Sequence, residues 1–234
     1  INLGFTSFLD GGGGPPGVYL IEYVQQYQSR AAVDKDGSPI PGGARVSAVS
    51  QLNQLVYVSP LKLWGGHLLF DLIVPVVAVT AKGQMGPAPV TTNNAGLGDL
   101  VAGLGLQWNQ HTLLGRPFFH RLETFANFPT GSYSSAYSAN PGSNLLSVEA
   151  YHAFTWHFMR KWETSWRMGY QFNGTNDAIA VRPGPFFHTT GAISREVSAK
   201  LRLGGLGYFM QQTADDHIGG VPMPGTRERA FGAG

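Results

Sequence analysis

The sequence predicts an all-β protein, a transmembrane antiparallel up-and-down β-barrel with about ten strands visible between residues 17 and 234. Three observations predict it. Long stretches alternate apolar and polar side chains with period two. The links between them alternate long and short along the chain. Charged residues make up only 13% of the chain, beside 12% aromatics and 32 glycines, about half the roughly 25% charge of an ordinary soluble domain. The clearest stretch is KWETSWRMGYQFNG. Trp162, Thr164, Trp166, Met168, Tyr170 and Phe172 share one parity, and Glu163, Ser165, Arg167, Gly169, Gln171 and Asn173 share the other. Successive side chains of a strand point to opposite faces, so such a strand meets an apolar medium on one side and a polar one on the other.

Residues 1–16 precede the first strand and carry Leu3, Phe5, Phe8 and Leu9 among glycines. Two readings are open for this segment: it folds back into the lumen and narrows or plugs it, or it is a disordered tail. The candidate strands, spanning residues 17–234, then fall near 17–29, 45–59, 65–79, 98–108, 117–128, 145–158, 161–174, 186–196, 199–212 and from 227 onward. Most exceed the about five or six residues of a usual globular strand. In GDLVAGLGLQW the outward parity is Leu100, Ala102, Leu104, Leu106 and Trp108, with Gly103 and Gly105 leaving space inside. In LLSVEAYHAFTWHF the outward set includes Val148, Phe154 and Trp156, with His152 as its polar exception. Tyr27, Tyr57, Trp64, Trp108, Trp156 and Trp162 fall near strand ends, where interfacial girdles sit. The links near 30–44, 80–97, 129–144, 175–185 and 213–226 are long and rich in Gly, Pro, Ser, Asn and Asp, whereas PLKLWG, MRK and VSA are short. Short periplasmic turns and longer extracellular loops organise outer-membrane barrels in this way, which places the N-terminus on the periplasmic side.

A soluble β-sandwich alternates too, burying one parity in its core; strand length and the alternation of loop lengths favour the barrel. The most apolar run, HLLFDLIVPVVAVTA, carries Asp71 and Pro75 and falls short of the roughly 18 uninterrupted apolar residues of a spanning helix. The absence of cysteine excludes a disulfide framework, a Cys-based zinc site and a thiol nucleophile. A net charge of +2 without a basic run gives a nucleic-acid partner no electrostatic support. The opening INLGFTSFLD lacks a charged region followed by an apolar one, as expected of a mature form or of a chain never exported by a cleaved signal.

Chemistry is expected in the lumen and the loops. The charged residues assigned inward, Glu22, Asp71, Arg121, Glu123, Glu149, Glu163, Arg167 and Arg202, have mixed sign. Buried charges need partners, so a ladder of Arg–carboxylate pairs bracing the wall is expected, with an ion-selecting ring as the other reading. Candidates for a constriction are Phe5, Phe8 and Leu9, then Tyr133 and Tyr137 in a loop that folds inward or lies on the surface, and Phe186 and Phe187 at a mouth or in a girdle. Asp215 and Asp216, beside His217, are a weak candidate for a divalent ion, a solvated turn being the simpler expectation. No serine carries a nucleophile signature and the seven histidines lack metal-ligand spacing. The string GGGGPPG has no following helix or Lys, and GLGDLVAGLG sits inside a strand, so neither is a phosphate loop. No catalytic residue, resident metal or cofactor is expected.

The opening LGFTSFLDGGGGPPGVYLIEYVQQYQ followed by DKDG resembles the outer-membrane channel family of meta-pathway phenol-degradation proteins of Gram-negative bacteria. So do GGHLLFDLIVPVVAV, GLGDLVAGLGLQW, ETFANFPTGSYS, NPGSNLLSVEAYHAFTW, WETSWRMGYQFNGTND and LRLGGLGYFMQQTADD. These segments run in order over nearly the whole chain. The resemblance implies a monomeric barrel of about twelve strands, integral to the bacterial outer membrane and in contact with its lipid and lipopolysaccharide. It also implies a narrow, largely apolar passage for passive uptake of small hydrophobic or aromatic molecules. A general water-filled porin and a barrel hydrolase are the rival functions. One departure stands out: a last barrel strand normally ends on an aromatic residue, whereas RERAFGAG stops inside the tenth strand. Two more strands are expected after Gly234, because open sheet edges cannot stay unpaired in lipid.

Overall fold

The computed structural model describes residues 8–34 and 37–234, and among them there is no α-helix. The main sheet contains β1 (Gly17–Ser29), β2 (Arg45–Leu63), β3 (Gly66–Lys82), β4 (Leu100–Leu113) and β5 (Arg116–Phe128). It continues through β6 (Ser147–Met159), β7 (Trp162–Asn173), β8 (Phe186–Ser198), β9 (Leu201–Gln212) and β10 (Arg229–Ala233). Each strand pairs with the next one in the chain, so the topology is up-and-down, with β1 and β10 at the two ends of the path. Every pairing is antiparallel.

The expected strands are all present, but β2 and β4 run on to Leu63 and Leu113 at the short-turn end. Register shifts at Val58/Lys62 and Trp108/His111 break the period-two pattern there while the ladder resumes beyond them. A bulge hides a strand from an alternation test in this way. Pro75, within β3, has no N–H to give. On the β2 side it pairs with Leu52; on the other side the ladder to β4 stops at Ile73 and a separate piece, Ala95–Leu97, takes over from Val76. The proline therefore lies in the gap between two pairing segments.

The faces follow the parities. Along β7, Glu163, Ser165, Arg167 and Gln171 are buried inside while Trp166, Met168 and Phe172 are exposed outside. Along β6, Ser147, Glu149, Tyr151, Ala153 and Thr155 are buried, alternating with exposed Val148. A correction falls on β1. Tyr19, Ile21, Tyr23 and Gln25 line the interior, so Glu22 lies outward with exposed Val18, Leu20 and Val24, opposite Asn53. The segment YLIEYVQQYQ has apolar or aromatic residues on both parities, so polarity alone could not fix its face.

The outward residue Leu104 is 53% exposed in the isolated chain. Leu104→Arg is therefore expected to be nearly neutral if water bathes this face, and to cost about 2–4 kcal/mol if lipid does. Denaturant unfolding from vesicles would measure the difference, and a neutral result would mean that water rather than lipid bathes this face.

Candidate functional site

The interior is organised by strand register. Arg121 on β5 and Arg167 on β7 both pair with Ala153 on the intervening β6. Ala153 is fully buried and offers only a methyl group inside, so two long guanidinium side chains can converge above it. What they converge on is Asp10, from the segment before the first strand. Arg167 donates to both Asp10 oxygens, Nε to Oδ2 at 2.8 Å and Nη2 to Oδ1 at 2.8 Å, and Arg121 Nη2 donates to Oδ1 at 3.0 Å. The fork geometry of a guanidinium matches the two oxygens of a carboxylate, and such bidentate pairs are among the stronger hydrogen bonds proteins make. Asp10 is only 7% exposed.

The rest of this segment is fastened by weaker contacts. Gly11 N–H donates to Thr155 Oγ1 at 2.9 Å, and a β-carbon at Gly11 would collide with the backbone of Phe154 and Thr155. Glycine is what allows so close an approach. The Gly13 carbonyl accepts from Asn109 Nδ2 at 3.0 Å and the Pro15 carbonyl from the Tyr19 hydroxyl at 2.6 Å. Among the described residues the segment joins no strand ladder. Of its three constriction candidates, Phe8 is half-buried and Leu9 exposed; Phe5 lies outside the described residues.

The expected charge ladder takes a different form. Besides Asp10, Arg121 faces Glu123 at 3.5 Å, and the Tyr151 hydroxyl donates to the same carboxylate, while the Arg167 guanidinium lies over the Tyr151 ring at 4.2 Å. Other carboxylates find neutral or imidazole partners. Asp71 accepts from the Gln54 amide and faces Glu123. Glu149 meets His188 Nε2 at 2.9 Å, where Gly169 leaves the room that a side chain would fill. Glu163, fully buried, accepts from Ser194 and, at 2.6 Å, from Ser165. Thr155 and Ser165 are 2.8 Å apart, and Arg202 Nη1 donates to Ser194 at 3.1 Å. A continuous hydrogen-bonded chain thus runs from Gly11 across β6, β7 and β8 to β9. Arg202 also faces Glu196 at a loose 3.9 Å.

Opposite this polar wall is a cavity of about 320 Å³. Its apolar side consists of Ile21, Leu52, Val56, Val58, Leu69, Ile73, Val101 and Phe125, with Tyr19, Tyr23, Gln54 and Asp71 interspersed, and Gly13 and Gly14 of the N-terminal segment border it. Gln107, Arg121, Glu123, Glu149, Tyr151 and Arg167 also line it, so the cavity lies between a mainly apolar face of β1–β4, with Phe125 of β5, and the hydrogen-bonded residues of β5–β7.

The loop candidates lie elsewhere. Tyr133 and Tyr137 border a separate recess with Asn176, Ile179 and Pro183. Their loop is fastened to the one before it: Asp99 accepts from the Gly131 and Ser143 N–H groups at 2.9 and 2.8 Å, and Thr92 bridges Ala139. Phe186 takes the inward parity, opposite Gln171, and Phe187 the outward one, opposite Tyr170. The metal candidate is not assembled. Asp215 turns to Arg227 at 3.2 Å, and Asp216 accepts from Gly184 N–H at 2.8 Å and Gln212 Nε2 at 2.6 Å. Among the described residues no group of acidic, His or Cys side chains is placed to hold a metal ion. His152, the polar exception on the outer face, belongs to a file of imidazoles: His120 Nδ1 lies 3.4 Å from His152 Nε2, and His120 Nε2 lies 3.0 Å from His111 Nδ1, with the Trp108 ring stacked on His120 at 4.6 Å.

An up-and-down antiparallel sheet, apolar outside and ion-paired inside, has the architecture of an outer-membrane channel barrel. The chain belongs to the family described as "Putative MetA-pathway of phenol degradation", which matches residues 29–234. The fold is similar to the crystal structure of an outer-membrane channel from Pseudomonas putida F1, with a TM-score of 0.80 and 16% sequence identity over 100% of this chain and 84% of that one. No curated protein matches the chain by sequence.

Asp10 was missed because nothing around FLDGGGG marks a carboxylate as buried; the glycine run was the available signal, since it permits close packing. Asp10→Ala removes the shared partner of buried Arg167 and half-buried Arg121, a change that costs about 3–5 kcal/mol in fully buried ion pairs. The segment has no ladder of its own, so its release is expected, with the barrel left folded. A thiol introduced by Gly12→Cys should then react with a water-soluble reagent much faster than in the parent chain; equal rates would place the anchor elsewhere.

Proposed function

We propose that this protein is a passive outer-membrane channel through which small hydrophobic or aromatic molecules cross by a narrow route, without energy input or a covalent step. The observation that carries the reading is the Asp10-held segment lying beside a cavity with one apolar wall. About 150 Å³ is enough to take up benzene, so the cavity of about 320 Å³ has room for one substituted ring. Its contacts are numerous and mostly apolar, which suits a route where cargo must leave as readily as it enters. Family membership and the likeness to a channel support the reading.

The exposed apolar outer face supports placement in the outer membrane as a monomer, bathed by lipid and lipopolysaccharide. A strand of 13 residues such as β1, at roughly 3.3 Å per residue, spans an apolar band of about 25 Å even when tilted. The edges of β1 and β10, at the two ends of the path, would have to be paired in hydrocarbon. An enzymatic role has little to stand on. The buried His188 contacts Glu149, but its Nδ1 has no hydrogen-bond partner among the described residues, so no hydroxyl nucleophile is positioned on it.

Single-channel recording in a planar bilayer tests the proposal. The intact chain is expected to show little conductance, and deletion of residues 1–14, which leaves β1 whole, to raise it several-fold. A large, steady conductance that ignores the deletion would identify a water-filled porin instead.

A further inference from the structure

The charges of the two ends of the sheet differ in a way that the net charge conceals. Each of the four short turns carries an exposed cation: Lys62, Arg116, Arg160 with Lys161, and Lys200. No Asp or Glu occurs in PLKLWG, HTLLGRP, MRKW or VSAKL. Glu196, just before the last of these turns, is paired with Arg202. The long loops mix both signs, with Asp177, Asp215 and Asp216 among their acids and Arg182 and Arg227 among their bases.

The tips of the turns carry a second, independent peculiarity. Trp64 and Leu114 both have φ of 51° and are followed by Gly65 and Gly115, also at positive φ. This is the hairpin turn whose first position favours Asn, Asp or Gly, and a bulky residue there is strained. Yet both side chains point away from the protein, each 82% exposed, so no internal packing offsets the strain. Neighbouring indoles hold the turns in place: Trp108 Nε1 donates to the Trp64 carbonyl at 3.0 Å, and Trp156 Nε1 to the Leu113 carbonyl at 3.1 Å. An aqueous rim would select polar turn formers. Apolar tips interleaved with unopposed cations fit a medium that is apolar below and anionic above.

We propose that the short-turn rim is a docking surface for anionic phospholipid, with Trp64 and Leu114 seated at the headgroup–acyl boundary and the turn cations on the lipid phosphates. The proposal rests on the membrane placement given above. Tryptophan is at home at that boundary, and basic residues beside a bilayer attract anionic headgroups over about a Debye length. The rim would thereby fix how deep the barrel sits and enrich such lipid around it.

Quenching by brominated lipids tests this on the full chain in vesicles, with Trp64→Phe used to isolate the Trp64 signal. At equal mole fraction in a phosphatidylcholine host, brominated phosphatidylglycerol is expected to quench Trp64 about twofold more strongly than brominated phosphatidylcholine. The excess should vanish when Lys62, Arg116, Arg160, Lys161 and Lys200 are all replaced by Gln, and should shrink at high salt. Equal quenching by the two lipids overturns the proposal. So does an unquenched Trp64 beside other, quenched tryptophans, an outcome that leaves the membrane placement intact. If no tryptophan is quenched by either lipid, the membrane placement itself fails, and the proposal with it.

Discussion

The interior is built around two positive charges that cannot be left alone. Arg121 and Arg167 are directed into the same space by register, one on each side of Ala153, and neither has a full set of partners on the wall. Burying an unpaired guanidinium is among the costlier arrangements a protein can hold. A carboxylate must be supplied from outside the sheet, and Asp10 supplies it to both. From this follow the course of the N-terminal segment, the glycines that let it lie against β6, and its place at the border of the cavity.

That division makes a channel reading coherent. On the β6–β8 wall most polar groups are occupied by one another or by Asp10, with Gln171 Oε1 and His188 Nδ1 left without a hydrogen-bond partner among the described residues. The opposite wall offers aliphatic and aromatic surface with a few hydrogen-bonding groups. A single interior thus combines rigidity on one side with weak, non-directional adhesion on the other.

The sheet was legible in the sequence because its physics is local. Side chains alternate across a strand, so any strand facing two different media declares itself, as 161–174 does. What was lost was lost where alternation is interrupted: at the bulges that extend β2 and β4, and along β1, where residues such as Tyr19 and Leu20 are apolar on both faces and Glu22 consequently fell on the wrong side. The inner face was read correctly for Asp71, Arg121, Glu123, Glu149, Glu163, Arg167 and Arg202, but not their partners. Partnership is set by register across several strands. That Glu163 rests on two serines and Glu149 on a histidine depends on which residues stand opposite, and a linear pattern carries no trace of it. Asp10 was invisible for the same reason at its extreme, its partners lying 111 and 157 residues away along the chain.

That separation has a consequence in time. The entropic cost of closing a loop grows only slowly with its length, so what the contact waits on is the seat rather than the distance. Asp10 is synthesised before any of its partners, yet its seat exists only once β5, β6 and β7 stand in register. Only in that seat can the carboxylate take the place of water on both guanidiniums.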